Sequence, residues 1–188
     1  MTNDNLQMTN ELLTGKNIHL RAVEPSDIET LYAWENDPAI WKVSNTLAPF
    51  SRFQIEEFIA NSRQDIYATR QLRLMADLLK PGQLNLTIGS LDLFDFDPAH
   101  LRAGIGILIS RQYREQGYAS EALQAFLRYT KETLHLHQVY CNITSDNTRS
   151  IRLFEKAGFV QCGVKKEWIC DGSVFSDEFM YQMIFSNE

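Results

Sequence analysis

Apolar and polar positions repeat every two residues over some stretches and every three to four over others. The order of these periods lays out the chain. Residues 17–23 alternate as a first strand. Glu24-Pro25-Ser26-Asp27 then opens a helix, with Pro25 at its first position, Asp27 in its first turn, and Ile28, Leu31 and Trp34 on its apolar face. Asp37-Pro38 ends that helix, and a short loop carries Trp41. A second helix is expected over 52–63, with Phe53, Ile55, Phe58 and Ile59 as its apolar positions. Residues 67–79 and 84–94 alternate as strands around the turn signal Lys80-Pro81-Gly82-Gln83, which predicts a hairpin. An acidic loop with Asp95, Asp97 and Pro98 follows, and then a strand over 101–109.

The second half changes period in the same way. Residues 117–134 place Ala119, Leu123, Phe126, Leu127 and Thr130 on one helical stripe. Residues 138–144 predict a strand. Asp146 and Asn147 cap a helix that stops at Gly158. Strands over 159–169 and 174–184 flank Cys170-Asp171-Gly172-Ser173, and Asp-Gly is a hairpin marker. Strands interleaved with helices, with hairpins toward both ends, predict an α/β domain with a mixed sheet.

Composition narrows this. A chain of 188 residues with 44% hydrophobic content suits one domain with a substantial core, expected over 14–188 behind a flexible tail at 1–13. No apolar run approaches a membrane span, and the polar first residues show no secretion signal, so a cytoplasmic protein is expected. Eighteen Lys and Arg against 24 Asp and Glu leave a formal charge of −6. That argues against a nucleic-acid partner, which would select a basic face. Cys141, Cys162 and Cys170 lack C-x-x-C spacing, and His19, His100, His135 and His137 form no ligand pattern. Neither a disulfide framework nor a metal site is expected.

Candidate chemistry gathers at Arg114-Glu115-Gln116-Gly117-Tyr118-Ala119, between the apolar strand ending at Ile109 and the long helix. A glycine turn at a helix start presents backbone N–H groups at the positive end of the helix dipole, where phosphates bind. Gly117 lets an anion approach the backbone, and Arg114 adds charge. Two common nucleotide signatures are excluded. Tyr118-Ala119 stands where a Walker loop needs Lys-Ser/Thr, and Gly104-x-Gly106 lies inside a strand with no third glycine at the right distance.

Arg114-x-x-Gly117-x-Ala119 resembles the pyrophosphate loop of the GNAT acetyltransferase superfamily. Asn147-Thr148-Arg149-Ser150-Ile151-Arg152-Leu153-Phe154-Glu155-Lys156-Ala157-Gly158-Phe159 resembles the same family's second-motif helix. The likeness covers roughly residues 15 to 185 and is nearest to the ribosomal-protein and spermidine N-acetyltransferase branch. It implies a mixed, mostly antiparallel twisted sheet flanked by about four helices, with acetyl-CoA as co-substrate. Arg114, Glu115, Gln116, Gly117, Tyr118, Ala119 and Ser120 would hold the pyrophosphate. The main chain of Ile107, Leu108 and Ile109 would bind the pantetheine arm and thioester. Asn147, Ser150, Phe154 and Lys156 would line the coenzyme. Relatives often form dimers or larger rings, which leaves a homo-oligomer open.

Acetyl transfer to an amine requires an amine freed of its proton, a stabilised oxyanion, and a thiolate that leaves. The family commonly has a tyrosine acid where this chain has Phe154, and often a glutamate base where it has Gly104. Water, Tyr140 or Tyr118 are the alternatives for the acid. Asp92 is the best remaining carboxylate for the base, because it interrupts Leu91-x-Leu93; Asp95, Asp97, His100 and Glu167 rank behind it. An alkylamine of pKa about 10.4 is only on the order of 0.05% neutral at pH 7, whereas an α-amino group of pKa about 8 needs little help. The expected function is N-acetylation of a primary amine: a peptide N-terminus, amino acid, polyamine or other small amine. The alternative is an acyl-CoA-binding module with little catalysis. The acceptor pocket is expected among Trp34, Trp41, Phe50, Trp168 and Phe175.

Overall fold

The computed structural model describes residues 11–186 apart from 45, 63–64 and 81–84. Among these, seven strands build one sheet: β1 (Ile18–Ala22), β2 (Leu72–Leu78), β3 (Leu86–Asp97), β4 (Arg102–Ile109), β5 (Gln138–Thr144), β6 (Val160–Asp171) and β7 (Val174–Ile184). Their order across the sheet is β1-β2-β3-β4-β5-β7-β6. Only β4 and β5 run parallel; every other neighbouring pair is antiparallel. The helices are α1 (Ile28–Glu35), α2 (Pro38–Ser44), α3 (Arg52–Asn61), α4 (Ile66–Thr69), α5 (Tyr118–Glu132) and α6 (Thr148–Lys156). Four of them reach eight residues or more, which matches the family expectation of about four. None is long and apolar enough to cross a membrane.

The strand period assigns the two faces. Leu74 and Ala76 of β2 join Leu91, Leu93 and Ile105 in a core with Leu123 and Phe126 of α5. Met75, one residue out of phase, packs with Leu31 of α1 and Ile55 and Ile59 of α3 in a second cluster. Burying a side chain such as Leu123 or Phe126 stabilises by roughly 1.5–3 kcal/mol. These apolar stripes, more than helix propensity, hold the helices to the sheet.

Local chemistry sets the helix ends. Ser51 accepts from the Gln54 N–H while the Gln54 side chain accepts from the Ser51 N–H, a reciprocal box that starts α3. The Asn147 side chain accepts from the Ser150 N–H at the start of α6. Gly158 follows that helix at φ +100°, a conformation open to glycine. At the last hairpin Asp171 pairs with Val174, so Gly172 (φ +65°) and Ser173 form its two-residue turn.

Several expected boundaries shift. Pro38–Ser44 is helical where a loop was expected to carry Trp41. Residues 66–69 form α4, so the strand expected from 67 starts at Leu72. β3 continues to Asp97 through the segment expected to be an acidic loop, because a register shift after Phe94, with Asp95 at φ +50°, absorbs the irregularity. The expected turn at 80–83 falls mostly outside the described residues, as does most of the expected tail. Leu13, assigned to that tail, is docked: its carbonyl accepts from the Leu20 N–H, and its side chain packs on the main core.

Candidate active site

The parallel pair at the centre of the sheet is short. β4 and β5 share a ladder only at Arg102–Gln138, Ala103–Val139 and Gly104–Tyr140. Beyond Gly104 the two strands continue to Ile109 and Thr144, each paired on its outer side with β3 or β7, and no described pair joins them. A cavity of about 660 Å³ occupies this wedge. Ile107 and Leu108 line it from one strand, and Cys141 and Asn142 from the other. Main-chain groups facing such a gap need water or a ligand as partner.

The expected phosphate loop leads out of the same strand. Ser110 donates its N–H to the Ile88 carbonyl, a single 3₁₀ turn spans Arg111–Tyr113, and Gly117 at φ +87° is the N-cap of α5. Gly117 offers no side chain to the first-turn N–H groups, and a Cβ built there meets no atom within 4 Å. The helix mouth is therefore open to an anion. Arg114 anchors the loop by donating from Nε to the Ile109 carbonyl at 2.7 Å. Burial and the nearby guanidinium groups of Arg149 and Arg111 lower its pKa below the usual arginine value, which places several cations around one spot. Glu115 spans the gap to α6 through an exposed ion pair with Arg149 at 2.8 Å.

The other expected coenzyme residues divide by position. Asn147, Ser150 and Phe154 line the cavity from α6. Ile109 is buried just past the lined part of β4, and Lys156 sits in the exposed last turn of α6. Phe154 is buried and meets Phe159 edge-on at 5.0 Å between ring centroids, so an apolar ring stands where the resemblance would place a phenol. Tyr140 does not take over that role from the cavity. Its hydroxyl donates to Asp95 at 3.1 Å beside a separate groove of about 500 Å³, and burial together with Asp95 pushes its pKa up to about 12.

Asp92 lies on the cavity side of β3, opposite in phase to the fully buried Leu91 and Leu93. It is paired in register with Arg73 on β2 and with Gly106 on β4. Arg73 donates from Nε to Asp92 and from Nη1 to Glu35 at the end of α1, both at 2.5 Å, and its guanidinium lies 5.0 Å from the Phe58 ring centroid. Burial opposes the Arg73 charge, but Asp92 and Glu35 outweigh it and hold the group protonated above its usual value. Gly106 leaves the cavity side of Asp92 uncovered, since even an added Cβ would stay 4.0 Å from the Asp92 Cβ. A Cβ at Gly104 would come within 2.2 Å of the Phe94 ring, so that ring fills the space where the resemblance would place a glutamate.

Four cavity groups escape a linear reading of the sequence: Glu35, Arg73, Lys165 and Glu178. Glu178 is buried on β7 and accepts from Lys165 Nζ at 2.7 Å; Nζ also reaches Asn142 at 3.3 Å and lies 5.1 Å from the Trp168 ring centroid. For Arg73, set between Leu72 and Leu74, a polar break in the strand's apolar pattern was the available signal. Of the aromatics expected around the acceptor, Trp34 and Trp168 line the cavity. Trp41 instead donates to the Glu35 carbonyl, Phe50 packs in the cluster around α1 and α3, and Phe175 is exposed on the last hairpin. The lower-ranked carboxylates also lie outside it: Asp97 accepts from the N–H groups of Ala99 and His100, and Glu167 is exposed on β6.

The central parallel pair thus parts over a cavity, and β4 leads on from it to the bare mouth of α5. Residues 17–160 match the family model described as an acetyltransferase (GNAT) domain, and the chain belongs to that family. It is accordingly an acyltransferase of the N-acetyltransferase class. A Bacillus licheniformis protein, the uncharacterised N-acetyltransferase p20, is 24% identical over 93% of this chain and 96% of its own length. The spermidine N(1)-acetyltransferase of Vibrio cholerae is 26% identical over 86% of this chain and 90% of its own. In fold, the chain is similar to a crystal structure of spermidine N-acetyltransferase from Vibrio cholerae in complex with CoA and spermine. The TM-score is 0.80 at 21% identity, covering 89% of this chain and 95% of that one.

Proposed function

We propose that this acyltransferase carries the acetyl group of acetyl-CoA to a primary amine by direct attack within a ternary complex. The observation that carries the reading is the parting of β4 from β5, with the bare mouth of α5 at one end and Asp92 on the cavity wall. The relative crystallised with CoA and spermine supports both the coenzyme and the amine class.

In this reading the first-turn N–H groups of α5 and Arg114 hold the diphosphate, and the crevice-facing main chain around Ile107 and Leu108 pairs with the pantetheine arm like a missing strand. The same main-chain donors stabilise the carbonyl oxygen as negative charge develops on it. Asp92 draws the acceptor ammonium into place and takes its proton, directly or through one water. The nitrogen forms its bond to the acetyl carbon as the carbon–sulfur bond breaks. The second proton, shed by the nitrogen as it becomes an amide, passes through water to the departing thiolate, of pKa about 8.5 in a free thiol, because Phe154 has none to give.

Gly117→Asp tests the placement of the coenzyme. It sets a carboxylate where the diphosphate would lie, and acetyl-CoA affinity measured by calorimetry should fall about 100-fold or more, given 1–3 kcal/mol for each lost or opposed charge-assisted contact. Unchanged affinity would remove the coenzyme from this crevice. Binding at wild-type strength by the native protein, with no CoA release from any amine, would instead favour an acyl-CoA-binding module.

A further inference from the structure

Building on the transferase reading, we infer that the acceptor is a primary amine with a single positive charge on an apolar or aromatic body, and not a polyamine. The charged groups lining the cavity are largely matched among themselves. Arg73 holds Asp92 and Glu35, and Lys165 holds Glu178. Among the described residues, three carboxylates against two cations leave one negative charge in excess, which is room for one ammonium. The unmatched charge lies in the Glu35–Arg73–Asp92 group, beside the wall that Gly106 leaves uncovered.

Among the described residues lining the cavity, a second or third ammonium on the same molecule would meet no further carboxylate in excess. It would have to break an existing pair or lie near Arg73 or Lys165, where like charges repel. Beside these charges, and beside the polar Ser44, Gln71 and Ser90, the acceptor side carries a set of apolar and aromatic groups. Trp34 and Phe58 come from the helices, Leu72 from β2, and Trp168, 61% exposed, from the rim at β6. Aromatic faces also favour a cation near them. The chemistry is shared by a free arylalkylamine and by a peptide whose first residue is apolar, since each brings one ammonium next to an apolar group.

The test is CoA release by the full chain with 2-phenylethylamine, with a C-terminally amidated peptide beginning with Phe, and with spermidine, at one pH and ionic strength. We expect kcat/KM at least about tenfold higher for one of the two monocations than for spermidine, and the faster one identifies the source. Asn142→Asp adds a carboxylate of the same shape to the cavity wall, and it should move the spermidine-to-monoamine ratio about tenfold toward spermidine. Lys165→Gln, which removes a cation at the edge of the sheet, should move it in the same direction if the first variant folds poorly. Equal or better use of spermidine by the native protein, or a ratio that neither variant moves, overturns the inference while leaving the transferase intact. Tight acetyl-CoA binding with no turnover of any of the three amines overturns the reading beneath it.

Discussion

Asp92 turns its carboxylate to the cavity side of β3, whereas Leu91 and Leu93 are fully buried in the main core, because a strand turns alternate side chains to opposite faces. Asp92→Asn keeps the shape and an acceptor oxygen for Arg73 but removes the proton acceptor. We expect kcat/KM to fall by about 10²–10⁴ while acetyl-CoA affinity is unchanged, checked by steady-state kinetics and calorimetry on one preparation. Equal losses in both would make the residue structural. The carboxylate itself was legible in the sequence as a polar break between two leucines. Its setting was not. Arg73 and Glu35 lie far from it along the chain, and their meeting depends on the β2–β3 register and on where α1 ends. The resemblance sets Gly104 where a glutamate would be expected, but only the fold shows Phe94 lying in that space.

Elements were most legible where one signal acted alone. β5 has the bounds its alternation predicts, and Gly117 stands at the start of α5 as its position before the helical stripe predicts. Pro38 misled, because proline both stops a helix and starts one. Here it does the second: the Asp37 side chain accepts from the Ala39 N–H, and α2 begins at Pro38. Asp65 does the same for α4, accepting from the Tyr67 N–H, inside a stretch whose apolar residues resemble a strand. In β4 the two glycines act differently. Gly106 opens space beside Asp92, whereas Gly104 is required by the Phe94 ring, which also meets Tyr140 edge-on at 6.1 Å. Gly104→Ala should therefore destabilise the protein by about 1–3 kcal/mol through overpacking, read from denaturant midpoints. Gly106→Ala should cost less stability while narrowing the approach to Asp92.

Across the whole molecule, buried acids with raised pKa values make stability sensitive to alkali, and the shifts are largest at Cys141 and Tyr140. Burial, with Cys162 nearby, pushes the Cys141 thiol up to about 12 from an ordinary 9.0, and burial with Asp95 pushes the Tyr140 phenol up to about 12 from 10.0. The folded protein keeps both protons at pH values where the unfolded chain has released them. Their contribution is thus complete below about pH 9 and is lost as pH rises toward 12. Denaturant midpoints should decline over that window, and Cys141→Val should flatten the first part of the decline. The parted strands have a different consequence for the molecule at rest. Amides of β4 beyond Gly104 that point into the gap have no neighbouring strand to shelter them, so in heavy water they should trade hydrogen for deuterium quickly, while those facing β3 stay protected. Saturation with acetyl-CoA should slow the quick set alone, and mass spectrometry of the peptide spanning 105–109 would record occupancy of the crevice without any acceptor or turnover.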